Sequence, residues 1–165
     1  MHQFNPLTMV ANEGDSREVE GAPKYYADDH LWVVLAVTAY LRETGDLAFL
    51  DEVVPYYEKG RDGQPIESGP VLDHLRRAIE FTRENTGAHG LPLLGFADWN
   101  DTVNLRAGAE SLFVANLYGK ALLEMIDLAH HFGDARWAAE YTALYEAMKQ
   151  RVNEHAWDGG WFVRY

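Results

Sequence analysis

The 165-residue sequence contains no cysteine, and this absence excludes three kinds of site. A disulfide framework, a thiolate zinc centre and a cysteine nucleophile each need a side chain that the sequence lacks. A sequence without cysteine suits a reducing compartment, so we expect a cytoplasmic protein.

Positive charge is also scarce, because 14 Lys and Arg stand against 26 Asp and Glu, for a formal net charge of -12. A nucleic-acid binder uses Lys and Arg to displace counterions from phosphates, and so acidic a surface repels that backbone and anionic lipid alike. We therefore expect neither nucleic acid nor a membrane surface as a partner.

Long apolar runs and several chemical motifs are missing too. The longest apolar run, residues 31–41, is much shorter than the roughly 20 residues that cross a bilayer. The start of the chain has neither the basic leader nor the apolar run of a signal peptide. A Gly-rich phosphate loop, a serine nucleophile elbow and histidines at metal-ligand spacing are absent. We expect no membrane span, no organic cofactor and no bound metal.

What the sequence does contain is helical periodicity of two kinds. Segments 29–43 and 109–131 are apolar nearly all round, which is typical of a helix buried on most sides. Segments 46–59, 70–86 and 134–152 carry apolar residues at the spacing of a one-faced surface helix. Buried and one-faced helices therefore largely alternate along the chain.

The joints between these segments predict how the helices pair. Gly45 and Gly133 can each end an apolar helix with positive φ, and the following Asp46 and Asp134 can each cap the next helix. Helices joined so tightly lie antiparallel as helical hairpins. The sequence thus predicts an all-α fold, an α/α toroid of which about five helices are visible.

Several stretches are predicted to be non-helical. Residues 1–27 and 60–69 are polar and contain glycine, so we expect loops there, and 157–162 predicts a tight turn between two short extended pieces. Residues 87–107 form a long loop with Gly, Pro, aromatic and carboxylate side chains. A loop of this length inside a compact domain is usually functional, and its apolar content argues against disorder.

Within that loop, residues 98–101 read Asp-Trp-Asn-Asp, which has two interpretations. In the first, Asp101 caps a following turn and Trp99 packs in the core. In the second, the tetrapeptide is a glycosidic-bond site. A carboxylic acid beside an aromatic surface has its pKa raised by desolvation, and it can then protonate a leaving oxygen. Trp99 would also offer a flat face to a sugar ring.

The pair Asp28 and Asp29 begins the first apolar helix and also has two interpretations. One carboxylate can cap the helix while the other adds favourable negative charge to its first turn. Alternatively, a carboxylate that is not used for capping faces the central cavity of the toroid. There it would accept hydrogen bonds from sugar hydroxyls.

Three segments together resemble the catalytic domain of glycoside hydrolase family 94. They are residues 2–8 (HQFNPLT), 26–32 (YADDHLW) and 95–101 (GFADWND), and 157–165 resembles a later segment of the family. The family contains inverting phosphorylases of cellobiose, cellodextrins, chitobiose and related β-linked sugars. The resemblance implies an (α/α)6 barrel, with residues 1–165 as an incomplete part of that single catalytic domain.

The resemblance also implies roles for individual residues. Asp101 would be the general acid, and Trp99 would line the subsite of the sugar that is attacked. Asp29 would contact that sugar's hydroxyls while Asp28 caps the helix, and Asp98 would be structural or hydroxyl-binding. The substrate-binding residues in this assignment are Asp29, Asp28, Trp99, Asp98 and Asn100.

The implied reaction is phosphorolysis of a β-linked sugar to an α-sugar 1-phosphate, with inorganic phosphate as co-substrate. Phosphate is already an anionic nucleophile, so one acid suffices where an inverting hydrolase needs a second carboxylate. We expect the phosphate ligands to lie beyond Tyr165 and the 165 residues alone to be inactive. For the full-length enzyme, a homodimer is one arrangement that we expect. An inverting hydrolase on the same toroid and a non-catalytic sugar-binding module remain as alternatives.

Overall fold

The computed structural model describes residues 4–5, 10–11, 25–56, 60–100, 103, 105–106 and 108–165. The described part is mainly α-helical, as the sequence predicts. Its α-helices are α1 (Asp29–Thr44), α2 (Val71–Glu84), α3 (Leu112–His131) and α4 (Ala135–His155). Among the described residues, none of these helices combines the length and the apolarity needed to cross a membrane.

The prediction of a helix over 46–59 is wrong for residues 46–56, and residues 57–59 lie outside the described residues. The chain forms a short 3-10 helix over Leu47–Asp51 and then a strand, β3, over Val53–Pro55. Strand β3 pairs antiparallel with β4 (Ser68–Pro70), so the predicted loop 60–69 ends in a strand. Two adjacent β-branched residues and a proline favour extended backbone over helix. Of the predicted apolar stripe, Leu50 is buried, whereas the side chain of Val53 is 67% exposed.

The predicted N-terminal loop also contains paired strands. Strand β1 (Phe4–Asn5) pairs antiparallel with β2 (Val10–Ala11), with Phe4 opposite Ala11. This short ladder corrects the prediction of a loop throughout 1–27. Residues 2–3 and 6–8 of the first family-like segment lie outside the described residues.

The two glycine joints behave alike, but the two aspartates do not. Gly45 has φ 70° and donates its N–H to the Leu41 carbonyl, and Gly133 has φ 69°. The Asp134 carboxylate accepts a hydrogen bond from the Trp137 N–H at 2.9 Å, which confirms it as the cap of α4. Asp46 does not cap the 3-10 helix, because its carboxylate accepts the Tyr40 hydroxyl at 2.9 Å instead.

Helix α3 is the centre of the described core, and it packs against α1, α2 and α4. Helices α3 and α4 are joined by a short connection and contact each other directly, so they form a helical hairpin, as predicted. The side chains of Tyr118, Leu122 and Met125 on α3 are almost completely buried. Helix α1 is less enclosed than its composition predicts, since Val33 and Tyr40 are more than two-fifths exposed. Its core face meets α3, while its other face is exposed in the described structure.

Residues 87–98 of the long loop between α2 and α3 are well packed although they are not helical. Leu91, Leu94 and Ala97 are buried, which confirms that its apolar content reflects structure. Further along, residues 157–162 form the predicted turn, with an antiparallel bridge between Trp157 and Phe162.

Candidate functional site

The structure brings together two segments that lie some seventy positions apart in the sequence. The Ala27 N–H donates to the Ala97 carbonyl at 2.9 Å, and the Phe96 N–H donates to the Tyr25 carbonyl at 2.9 Å. These bonds place the start of α1 beside the loop residues that precede Asp98. The described residues of the second and third family-like segments therefore lie side by side.

Gly95 allows this close approach. Its φ of 65° favours glycine, and a β-carbon there would stand 2.6 Å from the Tyr25 carbonyl oxygen. A larger residue would push apart the two backbones that build the site.

Asp98 is fully buried, and from the described residues it accepts four hydrogen bonds. Its Oδ2 accepts the Ser111 hydroxyl at 2.7 Å, and its Oδ1 accepts the Asn100 N–H at 3.0 Å. The same Oδ1 accepts Nη2 of Arg164 and the hydroxyl of Tyr165, both at 3.1 Å. Of the two roles implied for Asp98, these contacts support the structural one.

Ser111 connects Asp98 to helix α3. Its hydroxyl oxygen accepts the Val114 N–H at 3.1 Å, so Ser111 caps the helix while it donates to Asp98. Helix α3 begins at Leu112 rather than at 109 as predicted, because Ser111 provides the cap. The positive end of the helix dipole also favours the buried carboxylate nearby.

Asp28 is fully buried and does not cap α1 with its side chain. It occupies the N-cap position, but its Oδ2 accepts the indole N–H of Trp32 at 2.8 Å. The predicted capping role is therefore wrong, because the carboxylate is turned toward an indole donor one helical turn away. Asp29, in the first turn of α1, keeps partial exposure and the favourable dipole position.

Three aromatic side chains meet beside these carboxylates. The ring of Trp99 lies 5.6 Å from that of Trp32, and Trp32 lies 6.5 Å from Phe113. We call these three side chains the aromatic patch. Trp99 is 60% exposed, which contradicts the interpretation that it simply packs in the core. An exposed indole that packs beside another ring, as Trp99 does beside Trp32, can stack on a sugar face.

His30 joins α1 to α2 next to the site. Its Nε2 shares a hydrogen bond of 2.6 Å with the Thr82 hydroxyl, and its ring lies edge-on to Phe81 at 4.8 Å. Burial lowers the pKa of His30 to about 4, although the nearby Asp29 carboxylate opposes that effect. His30 is thus neutral at physiological pH and acts as a structural link.

The predicted general acid, Asp101, lies outside the described residues, as does Thr102. Asn100 and Val103 on either side are described, and the Asn100 carbonyl accepts the Val103 N–H at 3.1 Å. The side chain of Asn100 is exposed. The chemical role of Asp101 therefore stays a prediction.

Sequence reasoning missed Arg164 and Tyr165 as parts of this site. The Nε of Arg164 donates to the Tyr165 hydroxyl at 2.8 Å, and its guanidinium lies 5.7 Å from the Phe113 ring centre. No spacing rule links these residues to Asp98, since 66 positions separate Arg164 from it.

Comparison with known proteins identifies the family. The model of the glycosyl hydrolase 94 superfamily, catalytic domain, matches residues 1–165. This chain belongs to the glycosyl hydrolase 94 superfamily. Within the described residues of this family member, three or more His, Cys, Asp or Glu side chains do not gather into a group that could hold a metal ion.

Several relatives of this family member are named phosphorylases. The chain is 36% identical over 159 residues to an N,N'-diacetylchitobiose phosphorylase of Vibrio furnissii, covering 95% of the chain and 19% of the relative. It is 36% identical over 145 residues to a solabiose phosphorylase of Paenibacillus borealis, covering 86% and 18%. A 3-O-beta-D-glucopyranosyl-beta-D-glucuronide phosphorylase of the same organism is 32% identical over 141 residues, covering 84% and 18%. The chain spans about a fifth of the length of these relatives.

Proposed function

We propose that this chain carries the acid and sugar-binding side of an inverting phosphorolysis of a β-linked disaccharide or oligosaccharide. The observation that carries the proposal is the meeting of two segments at one place: the start of α1 and the turn that bears Trp99. Membership of this superfamily, together with several relatives that are named phosphorylases, supports the reaction class.

In the proposed reaction, a phosphate oxygen attacks the anomeric carbon from the face opposite the glycosidic oxygen. The bond from that carbon to the glycosidic oxygen breaks, and Asp101 gives its proton to the departing oxygen. The products are an α-sugar 1-phosphate and a sugar shortened by one residue. Phosphate needs no deprotonation by a base, so the chemistry requires neither a second carboxylate nor a cofactor.

The described contacts support a division of labour among the other residues. The exposed face of Trp99 stacks on the sugar, and Asp29 accepts hydrogen bonds from its hydroxyls. Asp28 acts indirectly, since it is buried and holds the indole of Trp32 against Trp99. Asp98 is unsuited to act as a base, because donors from the described part of the chain already bond both of its oxygens.

The α3–α4 hairpin and the partly exposed α1 support an extension of this proposal to the fold. Residues 1–165 would form part of one (α/α)6 barrel whose central cavity receives the sugar.

The test uses the full-length protein with cellobiose, N,N'-diacetylchitobiose and solabiose, each with and without inorganic phosphate. We expect one of them to yield a sugar 1-phosphate of α configuration, detected by phosphorus and proton NMR, and only when phosphate is present. Asp101→Asn should reduce this rate by about 10²–10⁴-fold, the usual contribution of a general acid.

Two outcomes would contradict the proposal. Release of reducing sugar without phosphate, lost in both Asp98→Asn and Asp101→Asn, would indicate an inverting hydrolase. Unchanged reactions and unchanged sugar affinity in Asp101→Asn would indicate a non-catalytic sugar-binding module.

A further inference from the structure

The last ten residues return to the site and dock on the start of α3. The Leu112 N–H donates to the Arg164 carbonyl at 2.9 Å, and the Val163 N–H donates to the Ala156 carbonyl at 2.8 Å. The bridge between Trp157 and Phe162 closes this segment into a hairpin-like turn. The backbone of Arg164 is therefore anchored independently of its side chain.

The side chains of this segment act on one particular atom. Oδ1 of Asp98 accepts the Arg164 guanidinium and the Tyr165 hydroxyl, and the same oxygen accepts the Asn100 N–H. The other oxygen of Asp98 is taken by Ser111. Oδ1 of Asp98 thus bonds both the backbone just after Trp99 and the side chains of Arg164 and Tyr165.

The buried negative charge of Asp98 makes its contact with Arg164 important. Asp98 is fully buried, and a buried carboxylate is costly unless a cation and further donors satisfy it. Within the described residues, Arg164 is the cation in contact with Asp98, and its side chain is 47% exposed. Arg164 also bonds Tyr165, so the two donors are fixed relative to each other.

We propose that Arg164 and Tyr165 are positioning residues, which act through Asp98 to hold the turn of Trp99 and Asn100 in its working position. The inference rests on the proposed function, because that turn leads directly into Asp101. It assigns no contact with substrate to Arg164. Removal of the Arg164 or the Tyr165 donor should disturb how Asp101 approaches the glycosidic oxygen, while phosphate binding stays nearly intact.

The experiment compares Arg164→Met, Arg164→Lys and Tyr165→Phe in the full-length protein. Arg61→Met is the matched control, since Arg61 is an exposed arginine in the turn before β4. Steady-state kinetics give kcat and the KM for phosphate. Hydrogen exchange read by mass spectrometry on the peptide around Asn100 reports on the turn without any substrate.

Arg164→Met should lower kcat by about 100-fold, the scale of an active group displaced by ~1 Å, with the KM for phosphate changed by less than about threefold. Arg164→Lys should recover part of kcat, because an ammonium can still donate to Asp98. Tyr165→Phe loses one hydroxyl and should show a smaller fall of the same kind. Exchange at Asn100 should become roughly tenfold faster in Arg164→Met and stay unchanged along α4.

Three results would overturn the inference. A large rise in the KM for phosphate with little change in kcat would make Arg164 a direct ligand. Exchange accelerated equally along the whole chain, with unchanged activity per folded molecule, would make it a stabilising residue only. Unchanged exchange at Asn100 would remove the link to the turn, and this result stands even if the protein proves not to be a phosphorylase.

Discussion

His30 provides a stability test that depends on one buried side chain. Its imidazole bonds Thr82 and packs against Phe81, and burial lowers its pKa from the ordinary 6.5 to about 4. Above pH 6.5 the imidazole is neutral in both the folded and the unfolded chain. Between pH 6.5 and about 4, the unfolded chain binds a proton that the folded chain does not, so acid favours unfolding through this group.

The size of the effect follows from the two pKa values. They differ by roughly 2.5, and each pH unit is worth about 1.4 kcal/mol, so the full linkage is about 3.5 kcal/mol. That stability is present above pH 6.5, falls as the pH drops, and is lost by about pH 4. An amount of this size is a large fraction of the total stability of an ordinary domain.

The assay is urea unfolding of the wild-type chain and of His30→Gln, followed by circular dichroism from pH 7.5 to 4.5. The variant will lose some packing at every pH, so the informative quantity is how the difference in unfolding free energy changes with pH. We expect the advantage of the wild type to shrink by about 1.4 kcal/mol per pH unit below 6.5. A difference that stays constant, or grows in acid, would refute the reasoning.

Two further predictions use matched pairs and the same unfolding assay. Asp134→Ala should cost about 1 kcal/mol because it removes a helix cap. Asp46→Ala should cost less than about 0.5 kcal/mol, since its carboxylate caps nothing, and equal losses would contradict the assignment. Gly133→Ala places alanine at positive φ in open space and should cost about 1–2 kcal/mol. Gly95→Ala also meets Tyr25 and should cost about 1–3 kcal/mol more, so a smaller loss than at Gly133 would be inconsistent with the close approach.

The α3–α4 hairpin could be predicted because its signals are local. Gly133 ends one helix and Asp134 caps the next, so a few adjacent residues determine where both helices stop and start. The apolar character of α3 extends all round, and the structure buries it on most sides. Membership of the family could likewise be predicted, since three segments occur in a fixed order.

The prediction of a helix over 46–59 failed for a reason that the spacing of apolar residues does not reveal. Leu47, Leu50, Val53 and Val54 have helical spacing, but β-branched residues before Pro55 favour an extended chain. The partner strand, Ser68–Pro70, pairs with Val53–Pro55 and so stabilises the extended backbone over a helix. A pattern of apolar residues shows where a face lies only if the backbone is already known to be helical.

The Asp98 cluster could not be predicted because its members are distant in sequence. Arg164 and Tyr165 reach Asp98 across 66 and 67 positions, and Ser111 reaches it across 13. The capping role expected of Asp28 failed similarly, since a single sequence does not show that the Trp32 indole competes for the carboxylate.

The most direct test of the proposed chemistry is how much Asp101→Asn costs with two different leaving groups. The rate of phosphorolysis is measured for the natural disaccharide and for the dinitrophenyl glycoside of the same sugar, whose leaving group needs no proton. If Asp101 is the general acid, the variant loses about 10²–10⁴-fold on the disaccharide and less than about tenfold on the dinitrophenyl glycoside. Equal losses on both substrates would contradict the account.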